Sequence, residues 1–286
     1  MKDGSMGKNQ SLDLLLKNEK KLQEHLELVD LVLEVADARL PRTSRNPRLQ
    51  KMLGAKKRII ILNKSDLAEK ETTGRWLNYL AGEKWPVLDF NAKRKIEVIK
   101  LERLLDNLRP EKMKFKRSFR MMAIGLPNVG KSTIINRLLH KYAARTGNTP
   151  GVTRGAQWIK LRRGMDLLDT PGMLTPFLRN ENSILSLGAI GSISLGSYDP
   201  ERVAGWLIEQ FLAREKTRQI LERFYGVQGE AGGNLKSSYE LLAEIGAARG
   251  CYKRGAEVDI LKTSQLLLSD FRRGALGPIT LESPVS

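Results

Sequence analysis

Up to Asp169 the chain alternates two hydrophobic patterns: short contiguous apolar runs, and longer polar stretches in which apolar residues recur every three or four positions. Contiguous runs bounded by turn residues read as strands buried on both faces, and the second pattern reads as amphipathic helices. Strands are therefore predicted at 29–36, 58–62, 87–90, 119–124, 157–161 and 165–168. Helices are predicted at 11–28, where Leu12, Leu15, Leu16, Leu22 and Leu26 gather near one face, in a short stretch ending at Leu53, and at 69–80, 96–108 and 133–139. Strands separated by helices build a doubly wound, mostly parallel α/β sheet, in which ligands bind beyond the carboxyl ends of the strands.

From Met173 onward only helical periodicity remains. Asp199-Pro200 reads as a cap and a first-turn proline, before a helix that buries Val203, Leu207, Ile208, Phe211 and Leu212. Ser237 with Glu240 is a candidate capping box for a helix stopping at Gly250, and 257–273 reads as a last helix with the apolar residues Val258, Leu261, Leu268 and Phe271, ended by Gly274. The expected division is an α/β domain over 1–174, with a basic, proline-containing linker at 109–117, and a small all-helical domain over 175–286.

The chemistry concentrates in Gly125-Leu126-Pro127-Asn128-Val129-Gly130-Lys131-Ser132, a G-x-x-x-x-G-K-S stretch between a predicted strand and a predicted helix. That is the context of a phosphate-binding loop. Loop residues Pro127, Asn128, Val129 and Gly130, with Lys131, Ser132 and Thr133 opening the helix, would surround phosphate. Small residues let backbone N–H groups close in, and the helix N-terminus adds partial positive charge. Lys131 would reach the β/γ oxygens and Ser132 would offer its hydroxyl to Mg²⁺.

At the end of an earlier strand stands Asn63-Lys64-Ser65-Asp66. An aspartate can accept both the ring N–H and the exocyclic amine of guanine, whereas adenine presents no such pair, so GTP and GDP are the expected ligands. Asn63 would brace the loop, the Lys64 stem would cover the base, and Asn91-Ala92-Lys93 is a weaker third element whose Ala92 amide would reach the guanine carbonyl. Asp169-Thr170-Pro171-Gly172 would place the Asp169 carboxylate beside the water shell of Mg²⁺ and the Gly172 amide on the γ-phosphate. Of Thr146, Thr149 and Thr153, the last follows Pro150-Gly151 and is the candidate Mg²⁺ ligand from the preceding loop. Lys131, Thr153 and Gly172 are thus the candidate catalytic set.

Base recognition comes first here, then the phosphate loop, then Asp-x-x-Gly, whereas the Ras-like order puts base recognition last. The chain thereby resembles the circularly permuted GTPases, and most closely the bacterial ribosome biogenesis GTPase A (YlqF) family. The likeness runs through Asp37-Ala38-Arg39-x-Pro41, Ser44-Arg45-Asn46-Pro47, the nucleotide motifs, Pro150-Gly151-Val152-Thr153 and Arg249-Gly250-Cys251. It implies a Ras-like P-loop domain whose γ-phosphate-sensing segment runs into the helical tail, so that GTP state would control docking on the large ribosomal subunit. It also implies K⁺ near the phosphates, with Asn128 as a ligand. In the family the tail binds ribosomal RNA, which makes Arg249, Lys253, Arg254, Lys262, Arg272 and Arg273 candidate phosphate contacts. Met173 stands where Ras-type enzymes keep a water-orienting glutamine, the family's histidine-bearing N-terminal segment is not found, and neither His25 nor His140 is placed to replace it. Slow intrinsic hydrolysis, stimulated by the subunit, is the expectation.

Charge supports a polyanionic partner: among 286 residues Lys plus Arg number 49 against 32 acids, a net +17. Cys251 is the only cysteine, which excludes an internal disulfide and suits a reducing cytoplasm. No apolar run is of membrane-spanning length, and no heptad seam is visible, so a monomer is expected. Two other function classes remain open: an RNA-binding scaffold holding GTP with little hydrolysis, and a GTPase acting on another RNA.

Overall fold

The computed structural model of the chain describes residues 19–110, 117–143, 157–161, 164–169, 180–231 and 234–284. They fall into two compact units. The first comprises 19–37, Ser44–Ser65 and 75–169, the second Ala38–Thr43, Asp66–Gly74 and 180–284.

In chain order the first part of the molecule runs α1 (19–27), β1 (Leu31–Asp37), α2 (Pro47–Leu53), β2 (Arg58–Asn63), α3 (Lys70–Ala81), β3 (Val87–Phe90), α4 (Lys95–Leu108), β4 (Phe119–Ile124), α5 (Lys131–Ala143), β5 (Gln157–Lys160) and β6 (Met165–Asp169). The six strands form one sheet in the order β3-β2-β1-β4-β6-β5. All pairs are parallel except the edge pair β5–β6. Parallel strands with helices between them are buried on both faces, which is why β2 reads Ile59-Ile60-Ile61-Leu62 with no accessible surface at any of the four. Each such side chain contributes roughly 1.5–3 kcal/mol through burial. From β1 the chain winds outward to β2 and β3, and from β4 to the other side. The crevice at the carboxyl ends of β1 and β4 is thus the topological switch point where such sheets bind ligands.

Helix α1 supplies Leu22 and Leu26 to a core shared with Val29, Val32, Leu49, Leu53, Met122, Ile124 and Leu168. His25, on the same helix, is half-buried. Asp30 ties the sheet's entry together, accepting from Arg117 Nη1 and Nη2 at 3.0 and 2.6 Å and from the Arg120 amide at 3.0 Å.

The second unit holds α6 (Glu181–Ala189), α7 (Pro200–Leu212), α8 (Glu215–Tyr225), α9 (Ser238–Ala248) and α10 (Ile260–Arg273). Asp199 caps α7 through the Glu201 amide at 2.9 Å, and Ser237 with Glu240 forms the complete capping box of α9. Phe211 of α7 meets Phe271 of α10 edge to face at 6.0 Å. Gly246 lets α9 approach its neighbours, because a Cβ there would run into Val258 and Thr263.

Two details depart from the purely helical expectation. A short antiparallel pairing joins β7 (Glu230–Ala231) to β8 (Asn234–Leu235). Val258 bridges to Tyr252, so α10 begins only at Ile260, after Asp259 has accepted the Lys262 amide at 2.9 Å as its cap. Arg272, a candidate RNA contact by sequence, is instead turned to the interior of this unit. It donates to the Ala189 and Gly188 carbonyls at 3.0 and 2.6 Å and to the Tyr198 hydroxyl at 2.7 Å.

Candidate nucleotide site

The loop leaving β4 is shaped by two glycines for two reasons. A Cβ on Gly125 would collide with the Val35 carbonyl of the adjacent strand β1, so the chain can leave the sheet there only without a side chain. Gly130 has φ +103°, and a Cβ on it would strike Asn63 Nδ2. Between them Asn128 takes the left-handed conformation at φ 57° with its side chain exposed, while Val129 is buried as an anchor. Pro127 is half-buried, Lys131 opens α5, and Ser132 and Thr133 are exposed on its first turn. The open N-terminus of that helix carries the unpaired N–H groups and partial positive charge that suit an anion.

Lys131 folds over the loop, its Nζ donating to the Gly125 and Leu126 carbonyls at 2.9 and 2.7 Å. Burial brings its pKa down to about 8, an effect opposed by the Asp169 carboxylate. Asp169 is near for a topological reason: β6 runs parallel to β4 with Asp169 opposite Ala123, just ahead of the loop. A partly desolvated lysine with one carboxylate in range is electrostatically suited to receive further negative charge.

Asn63, at the end of β2, joins two motifs that the sequence places far apart. Its Nδ2 donates to the Val129 carbonyl of the phosphate loop at 2.8 Å, and its Oδ1 accepts from the Ala92 amide at 3.3 Å. Asn91 and Ala92 are buried, and Asn91 Oδ1 accepts from the Lys93 amide at 2.9 Å, so Asn91-Ala92-Lys93 is a side-chain-closed turn leading into α4, with Lys93 exposed. Lys64 sits at φ 61° with its ammonium 2.9 Å from the fully buried Asp37. The Asp37 amide in turn donates to Ser44 Oγ at 3.0 Å. Asp66 is exposed in the single 3₁₀ turn Ser65–Leu67 and belongs to the second unit. Thr153 and Gly172 lie outside the described residues, as do Thr146, Thr149 and Met173.

Sequence reasoning missed the supports behind these groups. Asp37 and Ser44 entered only as letters of a family signature, yet they hold the lysine whose stem would cover the base. Arg45 is likewise structural: it bonds Glu34 at 2.7 and 3.2 Å and Glu83 at 2.7 and 2.8 Å, and Gln50 accepts from it at 3.2 Å. Burial opposes its charge, but the bonds to Glu83 and Glu34 prevail and hold the guanidinium firmly protonated. The available signal was Glu34, a carboxylate inside an apolar strand, which requires a buried cation. Residues for Mg²⁺ fit in kind, a hydroxyl at Ser132 and a carboxylate at Asp169. Among the described residues no group of three or more His, Cys, Asp and Glu side chains could hold a metal by itself, so a cation here would need the ligand's own phosphate oxygens.

Comparisons with known proteins fit this site. The family described as 50S ribosome-binding GTPase matches residues 120–221. The ribosome biogenesis GTPase A of Bacillus cereus is 35% identical over 281 residues, covering 94% of this chain and 92% of that protein. That of Thermotoga maritima is 31% identical, covering 94% and 91%. GNP-bound YlqF from T. maritima superposes with a TM-score of 0.66 at 28% identity, covering 94% of this chain and 98% of that one, and a GDP-bound YlqF structure does so with the same score at 27% identity. With a permuted order of motifs, a phosphate loop braced by Asn63 and relatives alike over nearly their whole length, the chain belongs to the ribosome biogenesis GTPase A (YlqF) family.

Proposed function

We propose that this GTPase acts as an assembly factor in late maturation of the large ribosomal subunit, with its GTP state controlling attachment to the particle. The observation that carries the nucleotide part of this reading is the Asn63 carboxamide, which links the phosphate loop to the Asn91-Ala92-Lys93 turn and so makes base and phosphate recognition one device. Residues 1–174 form the nucleotide-binding domain and 175–286 the part that docks on ribosomal RNA. Net charge of +17 favours that partner.

In the reaction the chain's part is positioning. Lys131 holds the β/γ oxygens, backbone N–H groups from Asn128 to Thr133 surround the phosphates, and Asp66 accepts the guanine edge over which the Lys64 stem lies. Ser132, Thr153 and Asp169 would hold Mg²⁺ and Asn128 would hold K⁺, and these ions would offset charge on the phosphate oxygens. By their motifs Thr153 and the Gly172 amide would contact the γ-phosphate, and its loss on hydrolysis would then release the segment leading into the tail. Arg249, Lys253, Arg254, Lys262 and Arg273 supply phosphate contacts to RNA, and the protein works in the cytoplasm as a monomer. Among the described residues no helix is long and apolar enough to cross a membrane.

The test is nucleotide and particle binding with Asp66→Asn. Wild-type protein should prefer GDP over ADP and sediment with large subunits more with a non-hydrolysable GTP analogue than with GDP. The variant should lose about tenfold or more in GDP affinity, the scale of a hydrogen bond to a charged group. Retained guanine preference in the variant would remove Asp66 from the site, and sedimentation indifferent to nucleotide would remove the switch.

A further inference from the structure

The turn that carries Asp66 is held by the far C-terminus of the chain. Within the second unit the Ile279 amide donates to the Leu67 carbonyl at 3.0 Å, one residue from Asp66. Thr280 Oγ1 accepts from the Glu69 amide at 2.9 Å. The two bonds bracket the exit of the 3₁₀ turn and the start of α3. Gly274, at φ +81°, ends α10 and also clears space for Leu67, whose side chain a Cβ there would strike. Arg214, the residue before α8, fastens the same place, donating to the Thr280 carbonyl at 2.8 Å and to Glu69 at 3.2 Å.

The tail also grips the loop after β1. Leu281 donates its amide to the Arg39 carbonyl at 2.9 Å, and the Glu282 carboxylate accepts from the Arg42 and Thr43 amides at 2.8 and 3.2 Å and from the Thr43 hydroxyl. Ile279 and Thr280 are almost wholly buried. A short segment with this many specific bonds is a built part of the fold.

We propose that residues 279–282 are positioning residues for guanine recognition: by clamping the backbone on the carboxyl side of Asp66, the tail presets the carboxylate that reads the base. The inference rests on the assignment of Asp66 under Proposed function. It makes base specificity, rather than phosphate affinity, the property that the C-terminus controls, and by linkage it makes bound guanine nucleotide tighten the tail.

The experiment uses the full chain with Thr280→Val, which keeps the shape and removes only the oxygen that accepts from Glu69, and Thr280→Ser as the conservative control. Affinities are measured for GDP and for inosine diphosphate, which lacks the exocyclic amine that Asp66 would accept. Hydrogen exchange of the Glu69 amide is followed without nucleotide. The valine variant is expected to lose protection at Glu69 and up to about fivefold in GDP affinity, the fold-change of one ordinary hydrogen bond. Inosine diphosphate should lose less, so the ratio between the two shrinks, and serine should restore both readouts. Loss of protection with an unchanged ratio, or an equal loss for both nucleotides, would overturn the proposal. If wild-type protein shows no preference for GDP over ADP, the base-recognition reading itself falls, a result separable from the others because it appears before any substitution.

Discussion

The loop after β4 and the turn after β2, proposed to contact phosphate and base respectively, are held in different ways. The phosphate loop is fixed by its own glycines and by neighbours inside its unit, chiefly Val35 and Asn63. The turn bearing Asp66 and the start of the helix after it are bonded by residues far along the chain, Ile279 and Thr280. Phosphate recognition by backbone can be encoded in eight consecutive residues, because every element it needs is local. Base recognition depends on where one carboxylate stands, and a single turn of 3₁₀ helix is too short to fix that alone.

The sharpest way to break this contrast is Gly130→Ala. The left-handed backbone and the collision with Asn63 should together cost about 3 kcal/mol, near a hundredfold in GDP affinity by fluorescence titration. Affinity within about threefold of wild type would mean that the clamp by Asn63 is not what shapes the loop.

On the other side stands Arg39, buried in the second unit with its guanidinium 4.9 Å from the centre of the Phe271 ring and Nη1 3.0 Å from the Phe271 carbonyl. It joins the loop after β1 to the end of α10. Arg39→Met should cost about 2 kcal/mol in urea unfolding, because carbonyls at a helix end lose a charged donor. Arg39→Lys should recover only part of this, since a point charge cannot both stack and fork. Equal stability of all three proteins would show that the tail is held without Arg39.

The smallest effect concerns the Arg45 cluster in the first unit. The hydrogen bond from Arg45 holds the Glu83 carboxyl below its usual range, with burial opposing. A carboxylate whose folded pKa is depressed stabilises above its unfolded pKa, and that share is lost as pH falls through the folded value. Glu83 is about one-third exposed, so its share is a few tenths of a kcal/mol. Wild type should therefore exceed Glu83→Gln in stability at neutral pH, the gap closing below about pH 4 in thermal melts. A gap independent of pH would assign it to packing.

Much of this was legible in the chain. Strands β3 and β4 have the predicted ends, and the other four differ by a residue or two, because runs buried on both faces are contiguous in sequence. The caps at Asp199 and Ser237 act within four residues and are equally local. Legibility failed where bonds are long in sequence. Val258 left its predicted helix for a bridge to Tyr252, and Arg272, exposed by its helical position, turned to the Gly188 and Ala189 carbonyls.

The sequence by itself determined the elements, the phosphate loop, the permuted order of motifs and the family, since each is written in neighbouring residues or in their order. Tertiary structure alone decided that segments 38–43 and 66–74 group with the C-terminal unit, that Asp37 holds Lys64, that Arg45 answers Glu34, and that the last residues secure the turn of Asp66. The reason is the same in each case: a buried hydrogen-bonding group must be satisfied, but nothing in its own neighbourhood says which distant group will satisfy it.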